Sequence, residues 1–259
     1  MANKPSSVRS TTLSRSKNHN YDVEGNALRN RILLDLPRKE YDAVFSKLTS
    51  VRLELRILMQ EAGGQIEYCY FPNTMMASVL NVMADGKSVE VGLAGWEGFV
   101  GLPCIAGFRS SASRVVVQAQ GTAYRISASD MWKAVCTCPQ LAAALLRYSQ
   151  EATMEVTQIA ACNRLHEVDE RLARWLLMSQ DRILLDVLPL THEFLAQMLG
   201  TRRASVSVAG SILQRAGLIQ SIRGNVAIVN RKGLEEASCE CYGIIQKQME
   251  KWRQEAQLS

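Results

Sequence analysis

Apolar and polar residues between positions 33 and 136 alternate in short runs: VRLEL at 51–55, IEYCYF at 66–71, MASVLNVM at 76–83, SVEVGLAG at 88–95, SRVVVQAQ at 113–120 and TAYRI at 122–126. Turn signals such as Ala62-Gly63-Gly64, Asp85-Gly86 and Ala106-Gly107 separate them. Short strands at this spacing predict an antiparallel barrel or jelly roll. A helix over 39–48 is expected to precede them, because Tyr41, Val44, Phe45 and Leu48 recur at helical spacing. The pattern changes at Pro139, a suitable first-turn residue. From 140 to 166 no Gly or Pro interrupts, and Leu141, Leu145, Tyr148, Ala152, Val156 and Ile159 fall three or four apart. This predicts one amphipathic helix about 40 Å long, more than one small β-domain can cover. We read those six residues as the seam of a two-fold dimer.

A further helix is predicted at 169–180, with Leu172, Trp175 and Leu176 inward. The segment 190–217 then reads LTHEFLAQMLGTRRASVSVAGSILQRAG. Thr191 is an N-cap candidate, with Phe194, Leu195, Met198 and Leu199 on one face; Gly200 supplies a break; a second helix from about Arg202 to Arg215 turns Val206, Ile212 and Leu213 inward. Ala196 is small enough for the two helices to cross closely. This is the spacing of a helix-turn-helix, and the strands 218–222 and 226–229 around Arg223-Gly224-Asn225 make a wing. The expected chain is therefore α+β. A basic tail (1–29), holding Lys4, Arg9, Arg15 and Lys17 without an acid in its first twenty residues, leads into an antiparallel β jelly roll (30–138). A dimerisation helix (139–168), a C-terminal winged helix-turn-helix (169–242) and a helical tail (243–259) follow.

With 259 residues, 47% of them apolar and 21% charged, the chain can bury two cores, and no uncharged stretch reaches the roughly 20 residues of a membrane span. The tail has no apolar run of the kind a secretory signal needs, so a cytoplasmic location is expected. The formal net charge of +5 is mild, but its placement is informative. From 189 to 232 six basic residues (Arg202, Arg203, Arg215, Arg223, Arg231, Lys232) face one acid, Glu193, so this module alone matches the surplus of the whole chain. That is the footprint of a phosphate-binding surface.

Seven cysteines, spaced only as C-x-C pairs and singles, argue for reduced thiols rather than a disulfide framework. Cys136-x-Cys138 and Cys239-x-Cys241 have the composition for redox or metal chemistry, but are read as small, half-buried residues near helix ends. His166 is read as a residue of the dimer helix. With three histidines far apart, no metal site is expected. The absence of histidine from the roll also excludes a metal-dependent jelly-roll enzyme, and no Ser/His/Asp set or phosphate-cradling loop appears, so no enzyme is expected.

A β-roll, a long helix and a winged helix-turn-helix in this order resemble the Crp/Fnr family of bacterial transcription regulators over residues 30–242. The stretches that carry the resemblance are LTHEFLAQMLGTRRASVS, AGLIQSIRGNVAIV, ERLARWLL, YFPNTMMASV and DGKSVEVGLAGWEGFVGLP. It implies a homodimeric, signal-controlled switch on double-stranded DNA, with a palindromic site and RNA polymerase as protein partner. It places Arg203 where family members read guanine, Arg202 and Ser205 where they reach phosphate or nearby base edges, and Thr191 at a backbone contact. Arg223 in the wing is within reach of phosphates only. Ala204 and Val208 depart from the polar readout of the cyclic-AMP regulator.

The family's nucleotide cassette matches Gly98-Phe99-Val100-Gly101-Leu102-Pro103 and Ser113-Arg114. Phe99 stands in place of the ribose-binding glutamate, ahead of Gly101, and Ser113 and Arg114 are in reversed order. A cyclic nucleotide is therefore not expected. Nor is an Fe–S cluster, since the first cysteine is Cys69 and the amino-terminal ligands are missing. The reading left open beside a DNA switch is an interaction module of the same fold that has lost specific DNA binding.

Overall fold

The computed structural model describes residues 21–183, 187–188, 190–222 and 224–258. The chain divides into two compact units, one of residues up to 82 with 93–150, the other of 83–92 with 151 onward.

Up to residue 137 the elements run α1 (Arg31–Leu34), α2 (Arg38–Phe45), β1 (Thr49–Leu53), β2 (Leu58–Gln60), β3 (Tyr68–Pro72), β4 (Met76–Val82), β5 (Ser88–Ala94), α3 (Leu102–Ile105), β6 (Arg114–Ala119), β7 (Gly121–Ser127) and α4 (Ala128–Thr137), all in the first unit except residues 88–92 of β5. The strands form two sheets, ordered β1-β7-β3 and β2-β6-β4-β5. Pairing is antiparallel, with Val51 opposite Ala123 and Phe71 opposite Tyr124. One face of the first sheet joins the second in a core of Val51, Leu53, Ala77, Val115, Val117 and Ala123. Its other face, with Phe71, Tyr124 and Ile126, packs under Tyr41, Phe45 and Met131 of the helices. Both faces of β3 are thus buried, which is why IEYCYF lacks the alternation of a half-exposed strand. Asn30 ties the entry of the chain to this core. Its Oδ1 caps α1 at Leu33 N, 3.2 Å away, and its Nδ2 donates to the carbonyls of Pro72 (3.0 Å) and Gly98 (2.9 Å).

Four elements up to residue 137 escaped the sequence reading, the one-turn helices α1 and α3 together with β2 and α4. β2 has three residues and a register irregularity, too little to show a period. α4 had a usable signal, since Ser127 caps it through a 3.1 Å bond from Asp130 N, and Ala128 and Met131 face inward.

α5 (Pro139–Leu165) is the long helix expected, and part of its apolar face packs within the chain itself. Leu141, Leu145 and Tyr148 belong to the core of the chain's own roll. Gly98 makes room for Tyr148, and a Cβ there would lie 2.4 Å from the phenol oxygen. Residues buried this far within one chain leave little apolar area for a partner. Ile159 is buried as well, Ala152 is half-buried, and of the six only Val156 is exposed. The outer side of α5 instead presents Ala142, Leu146, Thr153, Thr157 and Ala160, three to seven apart, with Leu146 67% exposed.

The second unit continues with α6 (Val168–Ile183), β8 (Val187–Leu188), α7 (His192–Met198), α8 (Arg203–Arg215), β9 (Ile219–Ile222), β10 (Asn225–Ile228), α9 (Arg231–Ala237) and α10 (Cys241–Leu258). Its sheet has the order β8-β10-β9. The carboxyl half of α5 is fastened to α6 by a buried ion pair, Arg182 Nη2 to Glu155 Oε2 at 2.6 Å.

Candidate nucleic-acid interface

The helix-turn-helix is built on α6, whose Leu172, Trp175, Leu176 and Leu177 are buried. Thr191 caps α7, its hydroxyl accepting from Phe194 N at 3.2 Å. Leu195, Ala196, Met198 and Leu199 are buried, while Phe194 is half-buried and meets the Trp175 ring edge-on at 6.4 Å. The turn needs a glycine, because Gly200 sits at φ +58. Trp175 Nε1 donates to Glu90 Oε1 at 2.6 Å, and Gln197 Nε2 to Ser88 Oγ at 2.7 Å, so the hairpin tip 83–92 braces the base of this domain within the second unit.

α8 buries Val206, Ala209 and Leu213. Ile212, expected inside, is 38% exposed; Ala209 takes the inward place because it is the smaller residue at the crossing. The outer face carries Arg203, Ala204, Ser207, Val208 and Ser211, with Ser205 half-buried beside it. Arg202 is the N-cap and supplies no side-chain hydrogen bond to the first turn. The first turn of this 13-residue helix thus lacks a side-chain cap and carries two exposed arginines, a combination suited to a phosphate. Val208 is 62% exposed, the largest apolar side chain on this outer face. The wing is completed by β8, which pairs with β10 through Leu188 and Val226. Gly224 turns between β9 and β10 at φ +83; Arg223 lies outside the described residues.

One member of the basic surplus is paired within the domain. Arg231 donates to Asp181 Oδ1 (2.7 Å), Gln180 Oε1 (2.6 Å), Tyr242 Oη (2.7 Å) and Glu235 Oε1 (2.9 Å), which joins α6, α9 and α10. Its charge is neutralised inside the domain, and the outward surplus rests on the other basic residues.

In the roll the segments 98–103 and 113–114 find their partners within the chain. Phe99 is buried against Phe71, with ring centroids 4.9 Å apart. Gly101 adopts φ +118 so close to Cys69 that a Cβ would lie 2.6 Å from Sγ. Ser113 Oγ donates to Asn81 Oδ1 at 3.2 Å. Arg114 makes a two-pronged bond to Glu61, 2.9 and 3.1 Å, and this pairing holds the Glu61 carboxyl below the usual carboxylate range. A phosphate would have to displace that carboxylate.

The fold also gathers residues that sequence reasoning kept apart. Cys162 near the end of α5, His166 just beyond it, Cys239 between α9 and α10, and Cys241 at the start of α10 place their ligand atoms within 4.8 Å of one another. Cys162 and Cys239 sulfurs are 3.4 Å apart, and Cys241 Sγ is 3.6 Å from His166 Nδ1. The contact between the two sulfurs holds the Cys162 thiol below its ordinary range and, with burial, pushes that of Cys239 up. The C-x-C spacing at 239–241 was the available signal; its partners lie 77 residues away in sequence.

Residues 170–237 match the Crp-like helix-turn-helix domain family. No curated protein sequence matches the chain. Among solved structures, FixK2 from Bradyrhizobium japonicum is similar at a TM-score of 0.64 and 18% identity, over 74% of this chain and 98% of that one. The c-di-GMP-responsive global regulator CLP of Xanthomonas campestris is similar at 0.62 and 16%, over 74% and 99%. A Crp-family transcriptional regulator from Thermus thermophilus is similar at 0.60 and 19%, over 72% and 95%. No helix among the described residues is long and apolar enough to cross a membrane. The protein thus carries a Crp-like helix-turn-helix domain on a chain with the fold of the Crp/Fnr transcription regulators.

Proposed function

We propose that the protein is a homodimeric, sequence-specific regulator of transcription that reads a palindromic DNA site with α8 and engages RNA polymerase at the promoter. The observation that carries this reading is the open amino-terminal turn of α8. Uncapped N–H groups, Arg202 and Arg203 lie exposed together, with Ser205, Ser207 and Val208 following on the same helix. A helix presented this way enters the major groove by its first turns, with phosphate contacts fixing register and side chains reading base edges. Binding to genomic fragments, followed by a comparison of the enriched site with its scrambled version across a salt series, tests the proposal. Equal affinity for both would overturn sequence-specific reading and favour an interaction module.

The dimer seam we assign to the outer stripe of α5, in which Leu146 is flanked by small residues that allow close approach. Leu146→Glu should give a folded monomer by light scattering and circular dichroism, because two carboxylates would face each other across the two-fold axis. A dimer that survives this change would move the seam elsewhere.

The signal we infer not to be cyclic AMP or cyclic GMP, since Phe99 and the Arg114–Glu61 pair fill the cassette. A ligand specific for the native state raises stability by RT ln(1 + [L]/Kd). No melting shift is expected with either nucleotide at micromolar concentration. A shift lost in Arg114→Ala would reverse this assignment.

A further inference from the structure

Cys162, His166, Cys239 and Cys241 have the ligand set and spacing of a closed metal site, and their surroundings argue for one independently of the DNA-binding reading. Zinc bonds of about 2.3 Å to sulfur and about 2.0 Å to nitrogen, at tetrahedral angles, put ligand atoms about 3.5–3.8 Å apart. The separations of 3.4 Å between Cys162 and Cys239 and 3.6 Å between Cys241 and His166 lie close to this. Four ligand atoms within 4.8 Å of each other surround one ion, and three sulfurs with one imidazole are a known structural zinc set.

The second layer is in place too. His166 turns Nδ1 toward Cys241 while its Nε2 meets Glu240 Oε2 at 3.0 Å, the carboxylate–imidazole arrangement that orients a ligating histidine. Gln158 Nε2 donates to Cys241 Sγ at 3.0 Å. Charge gives a separate indication. Arg174 is 2% exposed, its Nε has no hydrogen-bond partner, and Nη1 meets only the Met178 sulfur at 3.2 Å. Arg171, also buried, donates to the Asn163 side chain and the Leu199 carbonyl, and its Nε likewise has no partner. Neither forms an ion pair with a carboxylate among the described residues. Buried guanidinium groups require a counter-charge. A dication with three thiolates and a neutral imidazole carries one net negative charge and supplies it.

We propose that these four residues bind a single zinc-type divalent ion in a closed tetrahedral site that clips together the two ends of the helix-turn-helix domain. The chain enters this domain just after His166 and leaves it just before Cys239, and the matched domain, 170–237, lies wholly between the two ligand pairs. With all four positions taken by protein, the ion's role is to hold the base of the domain rather than to activate water.

The test uses the untagged full-length chain, purified reduced, with Zn²⁺ and Co²⁺ as probes. Expected are one metal per chain by native mass spectrometry, a cobalt spectrum with tetrahedral d–d and thiolate charge-transfer bands, and a melting temperature that rises with Zn²⁺ and falls on chelation. Cys162→Ser and Cys239→Ser should each weaken binding at least about 10-fold. His166→Cys, which keeps four ligands, should retain binding with a shifted cobalt spectrum, and Cys136→Ser, an exposed thiol outside the cluster, should change nothing. The proposal is overturned if the reduced wild-type chain takes up neither ion. Undiminished binding in the serine variants, or a Cys162–Cys239 disulfide that persists in reductant, would overturn it as well.

Discussion

Arg203→Ala is expected to abolish discrimination between the target site and a scrambled duplex while leaving the protein folded and dimeric. The residue is exposed on the first turn of α8, so truncation removes the proposed reading group with little effect on packing. An arginine fork on guanine O6 and N7 discriminates by about 1–3 kcal/mol, roughly 10- to 100-fold, and a two-fold dimer makes that contact in each half-site. Truncating a phosphate contact acts differently. Arg223→Ala, in the turn between the wing strands by sequence, should weaken all duplexes alike and make the salt slope shallower by about one unit. Measuring both variants on specific and scrambled duplexes across salt separates the two roles. If Arg203→Ala keeps the wild-type specificity ratio, α8 is not the reading helix.

Glu155→Ala should cost about 3 kcal/mol, read as a shift of the denaturation midpoint. Its carboxylate is buried at 2.6 Å from Arg182 Nη2, with both side chains under a tenth exposed. Breaking such a pair from one side strands a charge in the interior, for which losses of about 3–5 kcal/mol are typical. The lower end applies because Arg182 also donates to the Met178 carbonyl at 3.2 Å. Replacing both partners together, Glu155→Leu with Arg182→Met, should recover most of the loss, since no charge is then left buried. A single variant as stable as wild type would show that the pair is not fully desolvated in solution.

Local order was legible in the chain. Strand-length runs bounded by glycine turns, the unbroken helical spacing after Pro139, the Thr191 cap and Gly200 at its left-handed turn all correspond to observed elements, because each depends on neighbours a few residues apart. α4 was readable in principle from Ser127 and Asp130, and was overlooked because its apolar positions continue those of the last strand. The exposed first turn of α8 followed from the same local rules.

Which surface each apolar face meets was decided elsewhere. The seam of α5 has a helical period whether it packs on a second chain or on its own roll; only the position of Gly98 opposite Tyr148 assigns it to the roll and leaves Leu146 outside. Arg231 counted as a surface charge until Asp181, some fifty positions earlier, was found to neutralise it. The cysteine cluster is the extreme case. Sequence composition determined that this protein is an α+β chain with a helix-turn-helix and unpaired thiols, since those follow from local periodicity and residue type. Only the tertiary structure could bring Cys162 and His166 to Cys239 and Cys241, because a contact across 77 residues is fixed by how an entire domain closes on itself, and no spacing rule along the chain records it.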